Sequence, residues 1–95
     1  MFISKGEYNI KPEKYDELVD FTQSLIPELR GIKGARQLIL IRTGNDTAMT
    51  IASYDSEEDA NAATSKVQQM FSRMAEFLTA PPVRNLYEAV VYEQF

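Results

Sequence analysis

The chain contains no histidine and no cysteine, so its chemistry is limited to hydroxyls, amides, carboxylates and basic side chains. That composition excludes a thiolate nucleophile, a disulfide frame, the usual structural zinc sites and imidazole acid–base catalysis. The side chains best placed to act on a small molecule are Tyr8, Gln37, Thr50, Asn85 and Tyr87, at matching parity in strand-like segments. Hydroxyls and amides both donate and accept hydrogen bonds, so this set is suited to orienting a phenol or a carbonyl. Small residues at the same parity (Ser4, Gly6, Ala48, Ala52, Ala89) would hollow the centre of a sheet. Phe21, Phe71, Met74 and Phe77 would roof the hollow, giving a cavity for a flat apolar ligand. The plainer account is that small strand residues admit bulky helix side chains, since interiors are normally close-packed.

The other reactive-looking groups have ordinary explanations. Arg36, Arg42 and Arg84 suit an anionic substrate, but pairing with Glu7 or Glu88 across an interface is the more usual role. Glu57-Glu58-Asp59 reads as a capped helix start, and no clustered carboxylates suggest a metal site. Met70 and Met74 read as core filler. Lys33 lies near two glycines without the Walker pattern. Gly31-Ile32-Lys33-Gly34 is similar to the GxxG loop of RNA-binding KH domains, but strand order and acidic charge argue against that fold. No metal and no cofactor is expected.

Ninety-five residues form one domain, spanning 1–95, that buries only about 60–65% of its unfolded surface. Without disulfides or metal, a partner subunit is the expected stabiliser. A net charge of −4 disfavours nucleic acid and anionic membrane surfaces. No apolar run approaches the ~20 residues of a membrane span, and the first residues lack a signal-peptide pattern. A cytoplasmic location is the expectation.

Six segments position the candidate groups. Phe2–Ile10 reads as a strand, and Lys11-Pro12-Glu13 opens a helix whose stripe runs from Tyr15 to Leu29. Pro27 should kink or end that helix, with Gly31 and Gly34 completing the stop. Ala35–Thr43 and Thr47–Tyr54 are strands joined at Gly44-Asn45-Asp46, residues that tolerate positive φ. Ser56 should cap a second helix whose stripe runs from Ala60 to Leu78. Ala80-Pro81-Pro82 ends it, and Val83–Phe95 is the last strand. The order βαββαβ predicts an α+β, ferredoxin-like fold: a four-stranded antiparallel sheet with both helices on one face.

Such a sheet should show a polar open face, yet both parities are apolar here. Assigning Phe2, Tyr8, Ile10, Ile39, Ile41, Ala48, Ala52, Tyr87, Ala89 and Val91 to the helices leaves Leu38, Leu40, Met49, Ile51, Leu86, Val90 and Tyr92 on the other face. Lys5, Glu7, Arg36, Arg42, Arg84 and Glu88 would ring that second set. An apolar centre within a charged rim is the pattern of a protein interface, which predicts a homodimer through the sheet face.

Three passages carry a wider resemblance: Tyr8-Asn9-Ile10-Lys11-Pro12-Glu13-Lys14-Tyr15, Gly31-Ile32-Lys33-Gly34-Ala35, and Thr50-Ile51-Ala52-Ser53-Tyr54-Asp55-Ser56-Glu57-Glu58. In them the chain resembles the dimeric α/β-barrel superfamily, and within it the antibiotic biosynthesis monooxygenase-like domains. The resemblance implies two sheets packed face to face and a cavity between helices and sheet in each subunit. It also implies a cofactor-independent oxygenase acting on a small aromatic substrate. The alternative is a non-catalytic small-ligand-binding or interaction protein. Haem-degrading relatives rely on tryptophan and histidine, both absent here, which argues against that activity.

Overall fold

A computed structural model describes all residues, 1–95. Strand β1 (Phe2–Asn9) leads through a 3₁₀ turn, Pro12–Lys14, into α1 (Tyr15–Ser24) and α2 (Ile26–Arg30). Strands β2 (Ala35–Arg42) and β3 (Thr47–Tyr54) follow, then α3 (Glu57–Ala62), α4 (Thr64–Arg73), a 3₁₀ turn at Ala75–Phe77, and β4 (Val83–Glu88). All pairings are antiparallel, in the order β2-β3-β1-β4. This is the ferredoxin-like βαββαβ arrangement. No helix is long and apolar enough to cross a membrane.

Local chemistry explains the breaks. The expected first helix divides at Leu25, and Pro27 falls in the first turn of α2, where its missing N–H costs nothing. Ser56 caps α3 by accepting from the Asp59 N–H at 3.1 Å. Gly34, at φ 77°, is the one left-handed residue, and a Cβ there would strike the Asp59 carboxylate. The β2–β3 turn closes without the positive φ its residues would tolerate. Thr43 N–H donates to Thr47 O at 3.2 Å, and the two threonine hydroxyls meet at 2.8 Å.

The core lies between the helices and one face of the sheet. Ile10 and Leu18 are fully buried at its centre, beside Tyr8, Tyr15, Phe71, Met74 and Phe77. The Tyr8 and Phe71 rings meet edge to face at 5.9 Å, a favourable aromatic geometry.

Register reassigns half of the expected faces. Residues opposite one another in an antiparallel pair share a face. Leu38 pairs with Ala52 and Leu40 with Thr50, so Leu38 and Leu40 turn towards the helices, while Ile39, Ile41 and Gln37 turn away. The cause is a bulge: Ala35 pairs with Tyr54 but Gln37 with Ser53, so Arg36 is an extra residue that inverts the alternation. In β4, Arg84 pairs with Gly6 and Leu86 with Ser4, which puts both on the helix side and leaves Asn85 and Tyr87 on the open side. The expected open-face positions Leu38, Leu40 and Leu86 are thus corrected, whereas Met49 and Ile51 do lie on the open face. Strand β4 stops at Glu88, so Ala89, Val90, Val91 and Tyr92 lie outside the sheet.

Candidate functional site

The helix-facing side of the sheet encloses a cavity of about 60 Å³, lined by sixteen residues, twelve of them hydrophobic. Its floor is Ser4, Gly6, Tyr8, Thr50 and Ala52; Leu38 and Leu40 form one wall. Leu18 and Thr22 of α1, Leu29 of α2, Met70 and Phe71 of α4, and Met74 just after α4 close it. Phe21 and Phe77, expected in the roof, instead pack on each other at 5.7 Å and do not line it.

Gly6 makes the polar corner of this cavity possible. The Tyr8 hydroxyl lies back over Gly6 to meet Thr50 Oγ1 at 2.8 Å. A Cβ on Gly6 would come within 2.6 Å of both oxygens, closer than such atoms can approach. Burial pushes the Tyr8 phenol above its ordinary value, opposed by the Thr50 hydrogen bond and by the nearby Arg84 charge. Tyr8 therefore stays a neutral phenol at physiological pH, able to donate or accept.

Arg84 is the group that its charge would have kept off this face. Ser4 and Gly6, too small to fill their share of the layer, admit its side chain. Its guanidinium donates to Ser4 Oγ at 3.0 Å, Thr64 Oγ1 at 2.9 Å and the Ala60 carbonyl at 3.1 Å. It thereby ties the α3–α4 junction to β1. The small residues opposite it were the one sequence signal that could have found it.

Of the five expected site residues, the structure brings Tyr8 and Thr50 together in the cavity. Gln37, Asn85 and Tyr87 lie on the opposite face and cannot reach it. Arg36 and Arg42 take partners within the chain. Arg36 makes a two-pronged bond to Asp55 at 2.6 and 2.8 Å, and Arg42 stacks 4.0 Å from the centroid of the Tyr15 ring. Glu7 pairs with Lys5 at 3.0 Å.

No carboxylate, lysine or arginine lines the cavity, and no group of three or more Asp or Glu side chains is placed to hold a metal. The arrangement can seat hydrocarbon on Leu and Met side chains and grip one oxygen of a ligand between the Tyr8 and Thr50 hydroxyls. It offers no ionised base for pulling a proton.

No family model matches the chain, and no curated protein matches it. Solved structures do. A protein of unknown function from Nitrosomonas europaea superposes with a TM-score of 0.83 at 18% identity, covering 98% of this chain and 92% of its own. An antibiotic biosynthesis monooxygenase superposes at 0.73 with 16% identity over 96% of this chain and all of its own. A monooxygenase of Streptomyces coelicolor, solved in complex with nanaomycin D, superposes at 0.75 with 14% identity over 98% and 92%. The likeness spans both chains nearly end to end, and the chain has the ferredoxin-like fold of the antibiotic biosynthesis monooxygenase-like proteins.

Proposed function

We propose that the protein is a small homodimeric oxygenase that binds a phenolic aromatic compound in the helix–sheet cavity and works without a cofactor. The observation that carries this reading is the Tyr8–Thr50 hydroxyl pair at 2.8 Å, set over Gly6 in an otherwise apolar lining. A buried polar pair of this kind fixes the orientation of a ligand oxygen, while the aliphatic walls take the ring. The overall step would convert a phenol and dioxygen to a quinone and water, with the ligand supplying the electrons. Tyr8 and Thr50 would hold the phenolic oxygen, and the Leu and Met walls would keep bulk water from the ring.

A cavity of about 60 Å³ is smaller than the roughly 150 Å³ known to hold benzene, so binding requires a wall to move. Leu29, Ala52 and Tyr54 lie between the cavity and one outer groove, Thr22 and Leu40 between it and the other, and Leu38 borders both. The absence of an ionised base in the lining favours a second reading, in which the same cavity binds a small aromatic ligand without turning it over.

Titration of the protein with 1-naphthol and related phenols, followed by NMR, tests binding; oxygen consumption tests turnover. Saturable shifts at Tyr8 and Thr50, weakened about five- to tenfold in Tyr8→Phe, are expected for loss of one hydrogen bond of about 1 kcal/mol. Binding without oxygen uptake would select the non-catalytic reading. No binding by any phenol would overturn both.

The homodimer rests on the open face. Ile39, Val83 and Tyr87 are 48%, 52% and 51% exposed there, around Ile3, Ile41, Met49 and Ile51. A second copy laid face to face would cover this set. Sedimentation of wild type beside Ile39→Glu tests it: a dimer that the buried charge splits supports the interface, and a wild-type monomer at all concentrations rejects it.

A further inference from the structure

The two outer grooves differ in charge. The one bordered by Thr22 and Leu40 holds Asp16 beside Arg42, whose guanidinium already stacks on the Tyr15 ring. The other, of about 160 Å³, is lined by Arg30, Arg36, Gln37 and six hydrophobic residues, with no acid. Its two cations are not equivalent. Arg36 commits Nε and Nη2 to Asp55, which offsets its charge and leaves Nη1 as a spare donor. Arg30 belongs to none of the chain's ion pairs, so its charge is uncompensated at the groove. The chain as a whole carries −4 and repels anions; the positive excess is local.

This groove and the polar corner of the cavity stand at opposite ends of one apolar stretch. Leu29, Leu38, Ala52 and Tyr54 line both spaces, whereas Tyr8 and Thr50 line only the cavity. Along β3, Thr50 and Tyr54 are four residues apart, about 13 Å in an extended strand. Tyr54 pairs with Ala35, the neighbour of Arg36. Leu29 and Leu38 are only partly buried, and displacing them would join the two spaces, which is the widening an aromatic ring needs.

We propose that the ligand of this cavity is a two-ring aromatic acid. Its hydroxyl would meet Tyr8 and Thr50 at one end, and its carboxylate would meet Arg30 at the other, beside the spare donor of Arg36. The proposal rests on the phenol-binding reading of the cavity and narrows its ligand class. A single ring is too short to reach both poles, and two linked rings can. Arg30 here sets specificity and touches no reacting atom. Its bond to a carboxylate is charge-assisted and stronger than a neutral one, but Arg30 is exposed, so solvent screening keeps the gain modest.

The test is a titration, by calorimetry and NMR, with 4′-hydroxybiphenyl-4-carboxylate and its neutral counterpart 4-phenylphenol. Wild type, Arg30→Gln and Arg30→Lys are compared; the side chain is exposed, so the variants keep the fold. Wild type is expected to bind the acid about five- to tenfold more tightly than 4-phenylphenol, with saturable shifts at Tyr8, Thr50 and Arg30. Arg30→Gln should abolish that preference and leave the affinity for 4-phenylphenol unchanged. Arg30→Lys should keep most of it, and added salt should shrink it. Equal affinities in wild type, or a preference that survives in Arg30→Gln, overturn the acid assignment and leave the phenol cavity standing. Acid binding that shifts Arg30 but neither Tyr8 nor Thr50 also overturns it, by placing the ligand in the groove alone. Failure of both compounds to bind removes this proposal together with the cavity reading.

Discussion

The two faces of this sheet are built from similar residue types and end in different states. On the helix face, Tyr8 and Ala48 are buried against the fully buried Leu18, with Ile10 just beyond β1, and the polar groups are spoken for: Tyr8 by Thr50, Arg84 by three oxygens. On the open face, Ile39, Val83 and Tyr87 stand half in water. There the buried Ser53 hydroxyl has no hydrogen-bond partner within the chain. One chain therefore completes one face and leaves the other half exposed. The same amount of apolar side chain stabilises the fold only where something covers it.

Substitutions that strain this contrast should rank by face. The largest effect is expected from Leu18→Ala, which empties a fully buried site and should lower stability by about 2–5 kcal/mol in denaturant melts. Ile39→Ala on the open face should cost the dilute protein under about 1 kcal/mol. Equal losses at the two positions would erase the distinction. Gly6→Ala should come next. Its Cβ would meet the Tyr8 and Thr50 oxygens at 2.6 Å, and relieving that contact should cost about 1–3 kcal/mol while breaking the hydroxyl pair.

Arg84→Met should remove the tie between β1 and the α3–α4 junction, costing about 1–2 kcal/mol. The Arg84 charge holds the Tyr8 phenol down against burial, so the variant should titrate Tyr8 at still higher pH by ultraviolet absorbance. A downward shift would place Arg84 elsewhere. Ser53→Ala should be neutral or stabilise by less than about 1 kcal/mol, because it deletes a buried hydroxyl without a partner. A clear loss in concentrated but not in dilute protein would mean that a second copy satisfies this hydroxyl.

The smallest effect concerns Asp55, whose carboxyl is held below the usual range first by its hydrogen bond to Arg36. A carboxyl with a lowered folded-state value contributes stability above its unfolded value and loses it as pH falls through the folded one. Acid should therefore lower the Tm of wild type slightly more than that of Arg36→Gln over that window. An identical acid response would show that the pair contributes nothing to folding.

The elements were largely legible in the sequence. Helix stripes, the Ser56 cap, the Pro27 break and the β2–β3 turn all follow from short-range chemistry, and the structure contains each of them. Of the expected cavity set, Tyr8 and Thr50 come together because β1 and β3 pair regularly, so parity counted along them holds. Gln37, Asn85 and Tyr87 do not join them. In β2 the bulge at Arg36 inverts the count, and in β4 Arg84 occupies a helix-side position that a charged residue would normally avoid.

Composition and periodicity determined, by themselves, the element order, the fold class and the exclusion of thiolate and imidazole chemistry. Those properties depend on residue type and on neighbours a few positions away. Which face each strand turns inward, how small the cavity is, and where β4 ends were decided only by the tertiary structure. When both parities of a strand are apolar, hydrophobicity gives no sign of direction, and one extra residue in a ladder reverses every side chain beyond it. Pairing partners forty or eighty residues away, Thr50 for Gly6 and Arg84 for Gly6, then settle what the local pattern leaves open.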